Sequence, residues 1–378
     1  MRIDQGDLDH LLAEVSRFAA QRIAGAAQRP ECPVDDGTLE QLTHEASALG
    51  ILPLPAGQEG FGIWEHCDQA EAMAFNIGAL GHLGRANAGI AYAWHRSALA
   101  TMLLRQLGLE HDAHALGTII FPTGHYGLAR TSLARWLNGA DLQIEEAEMF
   151  ADWLDRSAHA AAICAPSAWQ SMLWPVWRDG TIAWQITDRR ALQIEPCRQQ
   201  HGLDELEAFR VRDMRPAESG HLTQPGADAS RRLYARLLKM EMIGLLAIAS
   251  GALGHGQRMA SSHAAMRRQG GKIIAGHPAV QQLLGEIELA RQQADTTLTA
   301  FVRPLDDIDL GTVIAARAAM HELLCHAASQ VMQVHGGTGY MRDTGPEKTL
   351  RDQNMLKLQS GGTREASLFL AAWSGGAA

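Results

Sequence analysis

At 378 residues the chain has room for two or three structural units, and 46% hydrophobic with 20% charged residues is the mixture of a globular protein with a large core. A formal charge of -9 argues against a polyanion partner, because binding to a phosphate backbone rests on clustered Lys and Arg. The five cysteines are odd in number and show no CxxC spacing, which excludes a disulfide framework or a zinc finger as the organising device. The start, MRIDQGDLDHLLAEV, lacks the basic-then-apolar build of a targeting segment, and the longest largely apolar run, Met242 to Leu253, is too short to span a bilayer. A cytoplasmic protein with reduced thiols is the expectation.

From Leu11 to about Leu109 the pattern is helical. Leu11, Val15, Phe18 and Ile23 recur on one face, as do Leu39, Leu42, Ala46 and Leu49 before Gly50. The Pro- and Gly-rich stretch from Leu52 to Gly62 reads as a loop, and helices follow over His66 to Phe75 and Ala88 to Gly108. Between Asp112 and Glu218 the period changes to short β-rich runs, TIIFPT, AAAIC, TIAWQIT, ALQIEP and FRVRDM, separated by Gly, Pro and Asp. From Ala227 to Trp373 the pattern is helical again, with the acidic loop PLDDIDLG joining two antiparallel helices as in a bundle. The expected fold class is therefore α+β, mostly α, with a helical unit over 1–111, a small β unit over 112–220 and a helical bundle over 221–378.

On the helix expected from about Ala229 to Arg268, Glu241 lies among Leu237, Leu238, Gly244, Leu245 and Ile248, away from the polar stripe of Arg232, Arg236 and Lys239. A carboxylate on an apolar face is either paired with a cation or desolvated with a raised pKa, and the second state suits a base that takes a proton from carbon. Farther on, a helical run ending at Val334 stops at the paired glycines Gly336 and Gly337, which allow the backbone angles of a helix end and close approach by a ligand. His321 and Cys325 are spaced as two ligands on one helix face could be, but no second such pair accompanies them, so no metal site is expected.

Three spaced motifs, QVHGGTGY at Gln333 to Tyr340, Arg351-Asp352, and Gly362-Thr363-x-Glu365, together resemble the carboxy-terminal signature of the acyl-CoA dehydrogenase family of flavoproteins. The resemblance implies FAD as cofactor, an acyl thioester as substrate, an electron-transfer flavoprotein as electron acceptor and a homodimer or homotetramer. By it, Arg267 reaches the flavin pyrophosphate and His277 lies near the adenine. Gln333, Gly336, Gly337 and Gly339 serve a neighbouring subunit's flavin. Gly362 and Thr363 cover the pyrophosphate, with Thr363 as the N-cap of the last helix. DWLDRSAHAA, starting at Asp152, resembles the family's Trp-Ile-Thr strand, which sets Trp153 and Asp155 against the flavin ring. Glu241 falls where two branches of the family keep their catalytic base, while the other family position holds Ser360 or Gly361, neither of which can accept a proton at neutral pH.

The chain also departs from the family. The Thr-Glu-Pro run ending Gly-Ser-Asp has no counterpart in GLARTSLARWLNGAD, Gly270 stands for phenylalanine, Pro278 for glutamine and Met242 for arginine. The resemblance therefore leaves three readings: a dehydrogenase that forms the 2-enoyl thioester with Glu241 as base, a flavin-poor partner subunit of a heteromeric acyl-CoA dehydrogenase, and a flavin oxidase or monooxygenase of the same fold.

Overall fold

The computed structural model describes residues 5–53, 61–109, 116–123, 127–160, 163–197, 200–214 and 221–375. The chain opens with α1 (Gln5–Phe18), which continues through a π turn at Ala19–Ile23 into α2 (Ala24–Ala26). Then come α3 (Asp36–Ala48), α4 (Ala70–Ala86) and α5 (Ala88–Gln106). Asp35 and Asn87 cap α3 and α5 by accepting from the Thr38 and Ile90 amides at 3.0 and 2.9 Å, which satisfies donors that a helix start leaves free. The helix read as beginning at His66 begins instead at Ala70, because Trp64 and His66 take left-handed backbone angles that a helix cannot contain. Most of the Pro- and Gly-rich stretch before it lies outside the described residues.

Strands occupy the middle of the chain. β1 (Gly117–Ile119), β3 (Ser171–Arg178), β4 (Thr181–Asp188) and β7 (His221–Thr223) form one sheet in the order β1-β3-β4-β7. A second sheet holds β2 (Ile163–Ala165), β6 (Glu207–Met214) and β5 (Leu192–Pro196) in the order β2-β6-β5. Trp169, Met172, Trp174, Phe209 and Val211 form a separate small core here, with the Trp169 and Phe209 rings stacked at 5.0 Å. Pro175 is tolerated inside β3 because β1 pairs only with Ser171 to Leu173, so the strand has a free edge where the proline lacks its N–H.

Two helices interrupt this β region, α6 (Gly127–Leu137) and α7 (Ile144–Ala160). They overturn the reading of DWLDRSAHAA as a strand. Phe150, Trp153 and Leu154 are fully buried at helical spacing, and Glu145 and Glu146 stand in the first turn, where a helix dipole favours acids.

The rest is a bundle of α8 (Ala227–Met266), α9 (Pro278–Thr299), α10 (Leu310–His335), α11 (Pro346–Leu358) and α12 (Thr363–Gly375), with a two-residue-stranded hairpin of β8 (Arg268–Gln269) and β9 (Lys272–Ile273) after α8. Asp309, at the end of the acidic loop, caps α10 by accepting from the Thr312 amide at 2.7 Å. The 40-residue α8 is the axis of the molecule, packing on α4, α5, α9, α10 and α11. It is long and apolar enough to cross a membrane, but its apolar window is wholly buried inside the protein, so a core helix accounts for it. Gly84 and Gly251 let α4 and α8 cross almost backbone to backbone, since a Cβ on either would overlap the facing main chain.

Candidate functional site

Glu241 sits near the middle of α8 with none of its side chain exposed, and both of its oxygens are engaged. Arg96 on α5 donates Nη2–H to Oε1 at 2.7 Å, Ser360 donates its hydroxyl to the same oxygen at 2.5 Å, and His95 Nε2 lies 3.0 Å from Oε2. The state of His95 follows from its other nitrogen. Nδ1 accepts the indole N–H of Trp64 at 2.9 Å, so the ring proton belongs on Nε2 and a neutral histidine donates to the carboxylate. Burial also pushes the His95 pKa down. Gly244, one turn along α8, makes room for this ring, since a Cβ there would overlap the imidazole.

Arg96 also donates Nη1–H to the Ile119 carbonyl at 2.5 Å and Nη2–H to Ser360 Oγ at 3.1 Å, which ties α5 to the first strand and to the loop before α12. Burial alone would raise the Glu241 pKa, but the Arg96 charge and the His95 and Ser360 hydrogen bonds outweigh it and lower the carboxyl to about 2. Of the two states open to an acid on an apolar face, the structure shows the paired one. A carboxylate held this way is a poor proton acceptor from carbon.

The loop Gln359 to Gly362 is pinned from several sides. Ser360 and Gly361 both take left-handed φ angles, 58° and 101°. Arg130 of α6 donates to the carbonyls of Pro122 and Ser360, at 2.5 and 3.2 Å. Arg317 of α10 donates to the carbonyls of Leu356, Lys357, Gln359 and Gly361, which closes the open end of α11. Tyr92 donates to Gln359 Oε1 at 2.8 Å.

The other residues singled out in the sequence separate into two groups. Trp153 is buried on α7, with the Arg130 guanidinium 5.0 Å above its ring and Phe150 5.7 Å away. Asp155 is on the exposed face of the same helix, so the pair does not bracket one ligand. Thr363 is the first residue of α12 and not its cap: its hydroxyl donates to Glu322, and the Gly362 amide donates to Glu365 Oε2 at 2.8 Å. The cavity at this loop measures about 20 Å³ and is lined by Arg130, Arg317, Ser360, Gly361, Glu365 and Phe369 among others.

The second group lies at the far end of the bundle. Arg267 follows the last turn of α8, about 39 Å along the helix from Glu241 at 1.5 Å per residue. The His263 and His335 rings, 4.5 Å apart, bring the ends of α8 and α10 together there. Arg267, Gln333, Gly336 and Gly337 are exposed, His277 is half-buried with Nε2 3.0 Å from the Gln269 carbonyl, and Gly339 is packed beneath the turn. Gly336 adopts φ 61° at the end of α10, as the paired-glycine pattern requires. The remaining motif, Arg351-Asp352, is an anchor. Arg351 pairs with Glu347 and Asp204 and Asp352 with Lys348, and the Leu203 amide donates to Asp352, which joins α11 to the β region.

Whether these residues would hold a flavin follows from the same contacts. A ring stacked on Trp153 needs a free face, and a pyrophosphate at Gly362 and Thr363 needs free amides and a volume well above 20 Å³. Arg130 and Phe150 cover the indole, α6 packs along α12, and Glu365 places a carboxylate on the amide an anion would use. The described residues of one chain therefore do not fit FAD at this loop, whereas the exposed residues at the far end leave their polar groups open to a neighbouring molecule.

His95 and Arg96 escaped the sequence reading. The signal was present: a His-Arg pair inside AYAWHRSALATMLL, a helix apolar on all sides, has to be buried and so needs a buried acid.

Residues 233–372 match the family model for the acyl-CoA dehydrogenase C-terminal domain. A protein described as "probable acyl-CoA dehydrogenase YngJ" from Bacillus subtilis (strain 168) is 27% identical over 165 residues, a match that spans 43% of this chain and 42% of that protein. Over the whole chain the fold is that of glutaryl-CoA dehydrogenase from Mycobacterium smegmatis, with TM-score 0.71, 14% identity and coverage of 98% of this chain and 94% of the other. It is equally that of butyryl-CoA dehydrogenase from Megasphaera elsdenii, with TM-score 0.68, 15% identity and 99% of both chains covered. The bundle is thus similar in sequence to the C-terminal domain of acyl-CoA dehydrogenases, and over its whole length the chain shares their fold.

Proposed function

We propose that this chain is a flavin-poor partner subunit of a heteromeric acyl-CoA dehydrogenase, with its own catalytic position given over to structure and its exposed bundle end serving the flavin of a related chain. The observation that carries this reading is Glu241, the one acid in either position where the family keeps its base. Its two oxygens are occupied by Arg96, Ser360 and His95. Support for an interface comes from the far end of the bundle, where Met266, Tyr340 and Met341 are 76%, 66% and 53% exposed beside Arg267 and Gly336. Large apolar side chains clustered around polar ones mark a surface that another protein covers.

The competing reading is FAD-dependent α,β-dehydrogenation by this chain itself, with electrons leaving to an electron-transfer flavoprotein. It is favoured by the position of Glu241 in the family, and it needs the carboxylate released from three donors and α6 moved from beside α12. The two readings differ in colour. Purified alone, the chain is expected to be colourless and to give no flavin bleaching with acyl-CoA thioesters in anaerobic mixing. A yellow protein whose flavin is reduced by an acyl-CoA, with reduction lost in Glu241→Gln, would establish the dehydrogenase instead.

A further inference from the structure

Around the Ser360-Gly361 corner three guanidinium groups are buried, those of Arg96, Arg130 and Arg317. Their Nη atoms reach carbonyls and hydroxyls, and of the three only Arg96 forms an ion pair with a described residue, Glu241. The Nε–H of each of the three is buried with no hydrogen-bond partner. Carbonyl oxygens satisfy hydrogen bonds without cancelling charge. The carboxylates that face the group are Glu241 and the half-buried Glu365, while His95 is neutral. Three cations against two anions leave one positive charge enclosed, and an enclosed charge without a counter-ion is costly. The cavity lined by Arg130, Arg317, Ser360, Gly361 and Glu365 is about 20 Å³. A single water needs about 10 to 15 Å³, so the cavity has room for one small occupant, with Leu238, Met242, Ile314, Ala366 and Phe369 forming the apolar half of its lining.

We infer that this cavity is a binding site for one small monovalent anion, of the size and chemistry of a halide, which balances the Arg130 and Arg317 guanidiniums and holds the Ser360-Gly361 corner in place. Burial lowers the pKa of Arg317 to about 10 and that of Arg130 as well, the direction expected of cations with too little negative charge around them. The site does not depend on the partner-subunit reading, because it lies wholly within one chain and its volume excludes a pyrophosphate.

The test uses the whole protein with chloride and bromide as probes. In sodium gluconate at constant ionic strength, replacing gluconate by chloride should raise the melting midpoint saturably, by about 2 to 4 °C near saturation. Bromide in the crystal should give one anomalous peak between Arg130 and Arg317. Glu365→Gln keeps the acceptor for the Gly362 amide and removes a negative charge from the cavity wall, so half-saturation should move to roughly tenfold lower chloride. A midpoint that ignores chloride in both proteins overturns the assignment, as does a cavity without the bromide peak.

Discussion

The middle of α8 and its far end carry the same family pattern and have opposite fates. Both carboxylate oxygens of Glu241 are matched to buried partners on other elements, and the nearby cavity measures about 20 Å³. Around Arg267 and Gln333 the polar groups stand in solvent beside exposed methionines and a tyrosine. One is core and the other is surface. What a side chain touches bears more directly on its chemistry than its position in a family pattern does.

The largest effect should come from breaking the sealed region. Glu241→Leu leaves Arg96 buried without its carboxylate and is expected to cost about 3 to 5 kcal/mol in chemical denaturation. Pairing it with Arg96→Met should recover part of that loss, because two apolar side chains replace a buried pair at lower cost than half of it. Equal destabilisation in the single and double variants would show that the contact with Glu241 is not what makes Arg96 tolerable there.

Acid should act on the interior next. His255, mostly buried on α8, has its pKa lowered to about 4 by burial and by the neighbouring Arg258, Lys348 and Arg85 charges. A histidine whose folded pKa lies below its unfolded one takes up a proton on unfolding, so stability present above about pH 6.5 is lost as pH falls toward 4, up to about 2 to 3 kcal/mol. Glu241 extends the same direction lower: stability present above its ordinary carboxylate range is lost as pH falls through about 2. The limb between pH 6.5 and 4 should flatten in His255→Leu, measured by urea titrations at fixed pH. An unchanged limb would assign it to other groups.

At the open end the expected stability effects are the smallest. Arg267→Ala and Gln333→Ala should each stay within about 0.5 kcal/mol of the parent, as surface substitutions do. In a heteromer with a dehydrogenase chain the same variants should lower the flavin retained after gel filtration, a readout a structural role would not move. If both variants hold flavin as the parent does, this end serves no neighbouring cofactor.

The fold class was legible in the sequence because its helices are amphipathic or uniformly apolar and five β-rich runs mark strands. The burial of Glu241 was legible too, from Leu237, Leu245 and Ile248 around it. Its partners were harder to see, as they come from α5 and from the loop before α12, more than a hundred residues away on either side. The misreading of α7 has a different cause. Glu145, Glu146, Phe150, Trp153 and Leu154 carry a helical pattern, which outweighs the local likeness to a family strand. The cap of α12 failed on a detail of side-chain reach, with Glu365 taking the Gly362 amide and Glu322 taking the Thr363 hydroxyl.

The most direct test of the account is equilibrium dialysis of the chain, purified alone, against FAD. A sealed α6-α12 contact and a covered Trp153 predict no saturable uptake up to concentrations at which flavoproteins of this fold are fully loaded. Uptake of one FAD per chain, with Trp153 fluorescence quenched on binding, would contradict it.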